Sequence, residues 1–207
     1  MPRSRKILCG IATVAAWMLI AGAPASASSC PNAGIEVTGL DQSAMETSIA
    51  CLINEQRAAY GVPPVQANAD LRQAALSHSL EMVDQGYFEH TSPAGLTFLD
   101  RIASTGYTRG ARFWEVGENL VWGSGPLSTP LSLVTSWMNS PPHRENLLRA
   151  RFREMGIAAV LGTPRSSLDT DGVTVSSEYG YRFLAKKKRK RGRSKARRSR
   201  AHKRHAR

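Results

Sequence analysis

Three polar side chains stand out by type and setting: His90 in "FEHTSP", Glu118 in "GENL" and His143 in "SPPHREN". Each lies in a connecting stretch between segments of regular apolar spacing, where functional groups concentrate. Two imidazoles and a carboxylate are a donor set for a divalent metal, zinc or calcium, with a position left open for water. The same groups could form an acid/base cluster, since histidine titrates near neutrality. They could also hydrogen-bond to one another and only brace a cleft. No HExxH pair is present, so spacing leaves all three readings open. Ser79, Ser140 and Ser177 lack the GxSxG setting of a nucleophile elbow, and there is no glycine-rich phosphate loop. Asn119 and Asn146 are suited to holding loop backbone or the carboxylate. His78 falls on an apolar stripe and reads as a satisfied core histidine, and Trp114, Trp122 and Trp137 as core or cleft wall.

The elements that must position these groups follow from periodicity. In "SAMETSIACLINEQRAAYG", Met45, Ile49, Leu52 and Ile53 recur at helical spacing, with Ser43 and Glu46 as a capping box and Gly61 as the stop. A second helix is expected from Asp70 to Gln85, ended by Gly86. A short third helix should start at Thr97 and stop at Gly106. "GARFWEVGENLVWGSG" reads as an extended piece with a tight turn at Gly117. A fourth helix has Thr129 as N-cap and Pro130 at its first position, and "SPPHREN" reads as a proline-stiffened loop. "EMGIAAVL" and "GVTVSSEYGYRF" alternate as strands. In the latter the alternation points Val173, Val175, Ser177 and Tyr179 to one face. Helices come first and strands last, which predicts a layered α+β domain.

The two ends differ from the body. Residues 1–27 carry a basic start, an apolar run and a small-residue "ASA" site, the pattern of a cleaved signal peptide. Export to an oxidising compartment makes Cys30 and Cys51 a disulfide pair. Of 28 Lys and Arg, 14 lie in residues 186–207 and three in the signal peptide. The body keeps 11 against 16 acids and is therefore mildly acidic, at −5. A tail over 184–207 with almost nothing apolar to bury is expected to be disordered. Its partners should be polyanions bound through residues 186–207: an anionic wall polymer, lipid headgroups or another polyanion. No specific nucleic acid is expected of an exported chain. Residues 28–43 form an N-terminal arm, and residues 44–183 the domain.

Five blocks in order, "CLINEQRAAYGVPPV", "LRQAALSHSLEMVDQGYFEHTSPAGLTFLDRIASTGY", "GENLVWG", "VTSWMNSPPHRENLL" and "REMGIAAV", resemble the CAP superfamily, in its bacterial secreted branch. That superfamily is named for cysteine-rich secretory proteins, antigen 5 and pathogenesis-related 1 proteins. The resemblance covers about residues 44–183 and implies a three-layer α-β-α sandwich with a central antiparallel sheet. It implies a further strand near "RFWEV". It also implies a cleft holding two histidines and two acids, which binds a divalent metal in some members. His90, Glu118 and His143 match three of these positions. The fourth, an acid at the end of a W-x-x-E segment, is Ser140 here, in "WMNS". Glu145 and Glu178 are substitutes for that acid which sequence alone does not place. The expected function is a secreted, non-catalytic envelope or extracellular binding module, with metal or a small apolar ligand such as a lipid in the cleft. The alternative is a metal-dependent extracellular hydrolase of the peptidase kind.

Overall fold

The structure, a computed structural model, describes residues 28–184. The signal peptide assigned to residues 1–27 and the basic tail beyond Leu184 lie outside the described residues. Among the described residues no helix is long and apolar enough to cross a membrane.

The first helix, α1 (Gln42–Ala59), is capped two residues earlier than the sequence suggests. Asp41, not Ser43, accepts the N–H of Ala44, at 2.7 Å. Glu46 is thereby free to reach Arg72 at 2.7 Å on α2 (Ala69–Gln85). Asn68 caps α2, and Gly86 closes it in the left-handed conformation that favours glycine. The short helix α3 (Phe98–Thr105) begins with a capping box between Thr97 and Asp100. Thr129 caps α4 (Pro130–Asn139), as its sequence suggests.

Two sequence expectations are corrected here. "SPPHREN" is not a loop but the helix α5 (Pro141–Leu148), with Ser140 at its N-cap. Pro141 and Pro142 fill positions whose N–H groups have no helical partner, so they start a helix rather than prevent one. Nor does the chain turn at Gly117. β2 (Ala111–Ser124) runs through it as one strand of 14 residues. A side chain there would sit 2.9 Å from Asn146 Oδ1 and 3.2 Å from Phe152, so glycine marks a close approach, not a bend.

The sheet has the order β1-β3-β4-β2. β3 (Glu154–Leu161) and β4 (Gly172–Leu184) pair antiparallel, as do β4 and β2. The two-residue β1 (Gln66–Ala67) adds a short parallel edge to β3. Helices α1, α4 and α5 cover one face, over a core that includes Ile49, Leu52, Trp137, Leu147, Val175 and Tyr179. Helices α2 and α3 cover the other, with Leu71, Ala74, Ile102 and Tyr107 buried between them and the sheet. Each large apolar side chain buried this way contributes about 1.5–3 kcal/mol. The result is the expected three-layer α+β sandwich. Cys30 and Cys51 form the disulfide that ties the N-terminal arm to α1. Closing that loop stabilises the fold by about 3 kcal/mol on a chain-entropy basis.

One charged side chain sets the position of α5. Arg57 on α1 is fully buried. It donates to the carbonyl oxygens of Pro63 (2.8 Å), Leu147 (2.6 Å), Arg149 (3.3 Å) and Phe152 (3.1 Å). The last three of these carbonyls end α5 and lead into β3, where no regular ladder satisfies them. We expect Arg57→Met to cost about 3 kcal/mol or more in a denaturant titration, because buried carbonyls lose a charged donor. A change under about 1 kcal/mol would mean that water replaces the guanidinium without loss.

Candidate functional site

The site straddles the free edge of β2. Successive residues of that strand project to opposite faces of the sheet. Glu118 therefore faces the α2 and α3 layer, while Asn119 faces α5. The outward carbonyls of the edge strand are satisfied from the covering helices. Asn146 Nδ2 donates to Glu118 O at 3.1 Å, and Trp137 Nε1 to Leu120 O at 3.0 Å.

Glu118 is the centre of the polar cluster. Its side chain is 1% exposed. His90 Nδ1 donates to its Oε1 at 2.7 Å, and Arg101 Nη2 to its Oε2 at 2.6 Å. Arg101, on α3, is itself buried and also donates to Leu96 O and His90 O, both at 3.0 Å. The same guanidinium thus fixes both the carboxylate and the loop that carries His90. Burial alone would push the Glu118 carboxyl up. The bonds from His90 and Glu178 and the charges of Arg101 and His78 outweigh it and hold the carboxyl below its ordinary range. His90 gains in turn. Its bond to Glu118 raises its pKa, although its side chain is 53% exposed.

His143 occupies the first turn of α5, half-buried, with Nδ1 at 2.8 Å from Ser140 Oγ. Burial lowers its pKa, and the charge of His90 lowers it further. The two imidazoles therefore sense each other across the β2 edge. Asn119 Nδ2 donates to His143 O at 2.8 Å, and Asn146 Nδ2 to Asn119 Oδ1 at 3.1 Å. Asn119 and Asn146 thus tie α5 to β2, and Ser140 orients the His143 ring.

Three members of the cluster were not assigned to it by sequence. His78 is fully buried, as a core histidine would be, with Nε2 donating to Glu89 O at 3.0 Å and Tyr87 donating to Nδ1 at 3.3 Å. Burial lowers its pKa against the opposing pull of the Glu118 carboxylate, whose Oε2 lies 3.9 Å from its Nε2. Arg101 shares the stripe of Phe98 and Ile102 on α3, and an arginine at an apolar-stripe position was the available signal. Glu178 is the third. It lies directly opposite Glu118 on β4, fully buried, with no hydrogen-bond donor for either oxygen among the described residues. Alternation along β4 assigns it to the face away from Val175 and Tyr179, and α2 covers that face. Glu145, the other substitute considered, is paired with Arg149 at 2.9 Å and stands in solvent. Trp114 is 41% exposed and is neither core nor cleft wall, while Trp137 is core.

Two carboxyls facing each other on adjacent strands cannot both be charged at low cost. Burial, then the charge of Glu118, pushes Glu178 well above its ordinary range. Glu178 keeps its proton and can donate it to the Glu118 carboxylate. The unfolded chain releases that proton above about pH 4.3. Stability present below this value is therefore lost as pH rises toward the raised pKa of Glu178. Glu178→Gln is neutral in both states and lacks this slope. Melting temperatures measured with chelator present, from about pH 5 to about pH 8, should show the variant gaining steadily on the parent. A constant difference would mean that Glu178 ionises like an exposed carboxylate.

The donor atoms of His90, Glu118 and His143 do not close into a compact set. Among the described residues, the one group of three His, Cys, Asp or Glu donors mutually within 4.8 Å is Cys30, Cys51 and Glu55, and its sulfurs are spent in the disulfide. Two apolar cavities lie far from the cluster, at the β3 edge. One of about 300 Å³ is lined by Leu40, Met45, Leu80 and Val173, and one of about 440 Å³ by Ala50, Ala67, Met155 and Ile157.

The sequence pattern of the cysteine-rich secretory protein (CAP) family matches residues 51–179. The uncharacterized protein YkwD of Bacillus subtilis (strain 168) is 34% identical over 118 residues, 57% of this chain and 43% of its own length. The uncharacterized membrane protein YlbC of the same organism is 28% identical over 118 residues, 56% of this chain and 32% of its own. The chain thus spans less than half the length of these two relatives. An extracellular protein containing an SCP domain from Bacillus anthracis str. Ames superposes with a TM-score of 0.52 at 25% identity, over 67% of this chain and 40% of that one. An outer surface protein from Borrelia burgdorferi gives 0.57 at 20% identity, over 70% and 97%, and shares the fold. With the three layers and the five sequence blocks in register with that match, the chain belongs to the cysteine-rich secretory protein (CAP) family.

Proposed function

We propose that the chain is a secreted, non-catalytic binding module of the bacterial extracellular CAP type, held at an anionic surface by residues 186–207. The observation that carries the non-catalytic reading is the state of Glu118. Both its oxygens are bound, by His90 at 2.7 Å and Arg101 at 2.6 Å, and its side chain is 1% exposed. A general base must be within reach of the proton it takes. Glu118 is sealed from solvent and already held by two donors, out of reach of a substrate proton. The second acid, Glu178, is fully buried, and burial beside the Glu118 carboxylate pushes its pKa well above the ordinary range, which favours its neutral form. The hydrolase alternative therefore has imidazoles but no available carboxylate base. Export is supported by the sequence of residues 1–27, by the disulfide and by the extracellular relative from Bacillus anthracis.

The donor set favours an imidazole site over a carboxylate one. With its Nδ1–H donated to Glu118, a neutral His90 presents the Nε2 lone pair. His143 does the same when its Nδ1–H donates to Ser140 Oγ. Glu118 then orients a ligand instead of being one, the arrangement that fixes metal-bound histidines elsewhere. Imidazole nitrogen suits zinc, whereas calcium requires oxygen donors that this set does not offer. Bound zinc would supply a positive centre for an anionic or carbonyl-bearing ligand. An apolar ligand is better matched to the cavities at the β3 edge, which fall within or near the size range of small-molecule sites.

Calorimetric titration with zinc should show one weak site near neutral pH that weakens as pH falls, first as His90, whose pKa is raised, takes a proton and then as His143 does. His143→Ala should weaken it at least about tenfold. An unchanged isotherm for that variant, or none for the parent, would remove the metal from this reading. For the tether, association with anionic vesicles or wall fragments should collapse between about 50 mM and about 300 mM salt, and deletion of residues 186–207 should abolish it at low salt. Binding that survives the deletion at low salt would overturn the role given to the tail.

A further inference from the structure

The open end of the β2–β4 ribbon carries four large apolar side chains that no element among the described residues covers. Phe113 is 45% exposed, Trp114 41%, Phe183 53% and Leu184 51%. Their register divides them between the two faces. Phe113 pairs with Phe183 and tilts against Tyr181, its ring centroid 6.1 Å away, on the α1 and α5 side. Trp114 pairs with Arg182, which lies over the Tyr107 ring on the α2 and α3 side, and Leu184 follows Arg182 on that face. Pairing shifts between Ala111 and Phe113, which leaves Arg112 as the extra residue of a bulge, a device that re-aims side chains at a sheet rim.

Arginines surround this apolar tip. Arg151 lies 5.4 Å over the Phe113 ring, and Arg153 and Arg182 line a hollow with Tyr181 and Leu184. Arg151 is paired with Glu115 and Arg182 with Glu154, whereas Arg109, Arg112 and Arg153 enter no ion pair among the described residues. The chain then continues from Leu184 directly into residues 186–207, which hold 14 Lys and Arg. An otherwise acidic body thus concentrates exposed aromatic side chains and cations at one end.

We propose that this ribbon tip is a membrane-contact surface that inserts Phe113, Trp114, Phe183 and Leu184 into the interfacial region of an anionic bilayer, with Arg109, Arg112 and Arg153 on the headgroups. The proposal rests on the tether of the preceding section and goes beyond it, since the tail alone would hold the domain in no fixed orientation. Three features select lipid. Aromatic side chains favour the membrane interface, and cations beside them favour anionic headgroups. Charge attraction combined with apolar insertion anchors more firmly than either alone. The apolar groups stand on both faces of the ribbon end, so lipid can surround all four, whereas a flat polymer or a second copy of the chain would cover one face and leave the other wet.

The test uses the secreted chain with its tail intact and vesicles containing about one third phosphatidylglycerol in phosphatidylcholine. Bromine-labelled lipid should quench tryptophan fluorescence of the bound protein, and Trp114→Phe should remove most of that quenching while leaving binding in place. The double variant Phe113→Ser, Phe183→Ser should melt cooperatively yet bind the vesicles about tenfold more weakly at moderate salt. Bound parent protein without quenching at Trp114, or full-strength binding by the double variant, would overturn the insertion while leaving the tether intact. A concentration-dependent dimer abolished by the double variant, with lipid binding unchanged, would overturn it in favour of self-association. Failure of the parent to bind at low salt would instead remove the tether itself, and the insertion with it. If the double variant does not fold, quenching in the parent and in Trp114→Phe decides alone.

Discussion

A charged carboxylate can be kept at 1% exposure only if positive or hydrogen-donating groups replace the water it has lost. Glu118 meets that condition through Arg101 and His90, and most of the site follows from it. Arg101 is drawn inward from α3 to meet the carboxylate, and in doing so it binds the His90 carbonyl and fixes the loop between α2 and α3. His90 is oriented with Nδ1 inward and its outer nitrogen toward solvent. Glu178, across the strand pair, must give up its charge to keep the cluster near neutrality. A buried ion pair of this kind adds little net stability, but removing either member leaves the other stranded, at about 3–5 kcal/mol. Its contribution is to specify one arrangement of two helices and a loop around the sheet edge.

The edge position of β2 explains how groups from both helical layers converge. An edge strand has outward carbonyls that need donors, and Asn146 and Trp137 supply them from α5 and α4. That requirement draws α5 against the strand, and α5 carries His143. On the far side Arg57 holds the end of the same helix through the carbonyls of Leu147, Arg149 and Phe152. The helix is thus pinned at one end by the edge of the sheet and at the other by a buried guanidinium. It needs both, because eight residues are too few to be stable alone. Among the described residues the opposite end of the ribbon has no such covering helices, and there β2 and β4 side chains remain exposed.

Much of the fold was legible because it rests on local rules. Helical spacing located α1 to α4, glycine located the ends of α2 and α3, and two cysteines following a signal-peptide pattern located the disulfide. The readings that failed depended on neighbours distant in sequence. Gly117 has the local signature of a turn but serves the approach of Asn146 and Phe152. Pro141 and Pro142 have the signature of a breaker but sit in the first turn of a helix, where a missing N–H is harmless. Asp41 outcompetes Ser43 as the cap, and Glu46 is then used by Arg72 on another helix.

The sequence alone determined the compartment signals, the charge division between body and tail and the order of the elements, and it singled out His90, Glu118 and His143 as candidates, since each depends on residue type and short-range spacing. Only the tertiary structure decided that Glu118 is sealed from solvent, that Glu178 faces it with a raised pKa and that Arg101 binds the carboxylate. Alternation along a strand tells which residues share a face, but not whether that face is covered by a helix or by water. Ionisation depends on that cover, because removing water shifts a carboxyl by an amount that only its new neighbours can set. The chemistry of the site is therefore a property of the packing of α2 and α3 on the sheet, which no local pattern encodes.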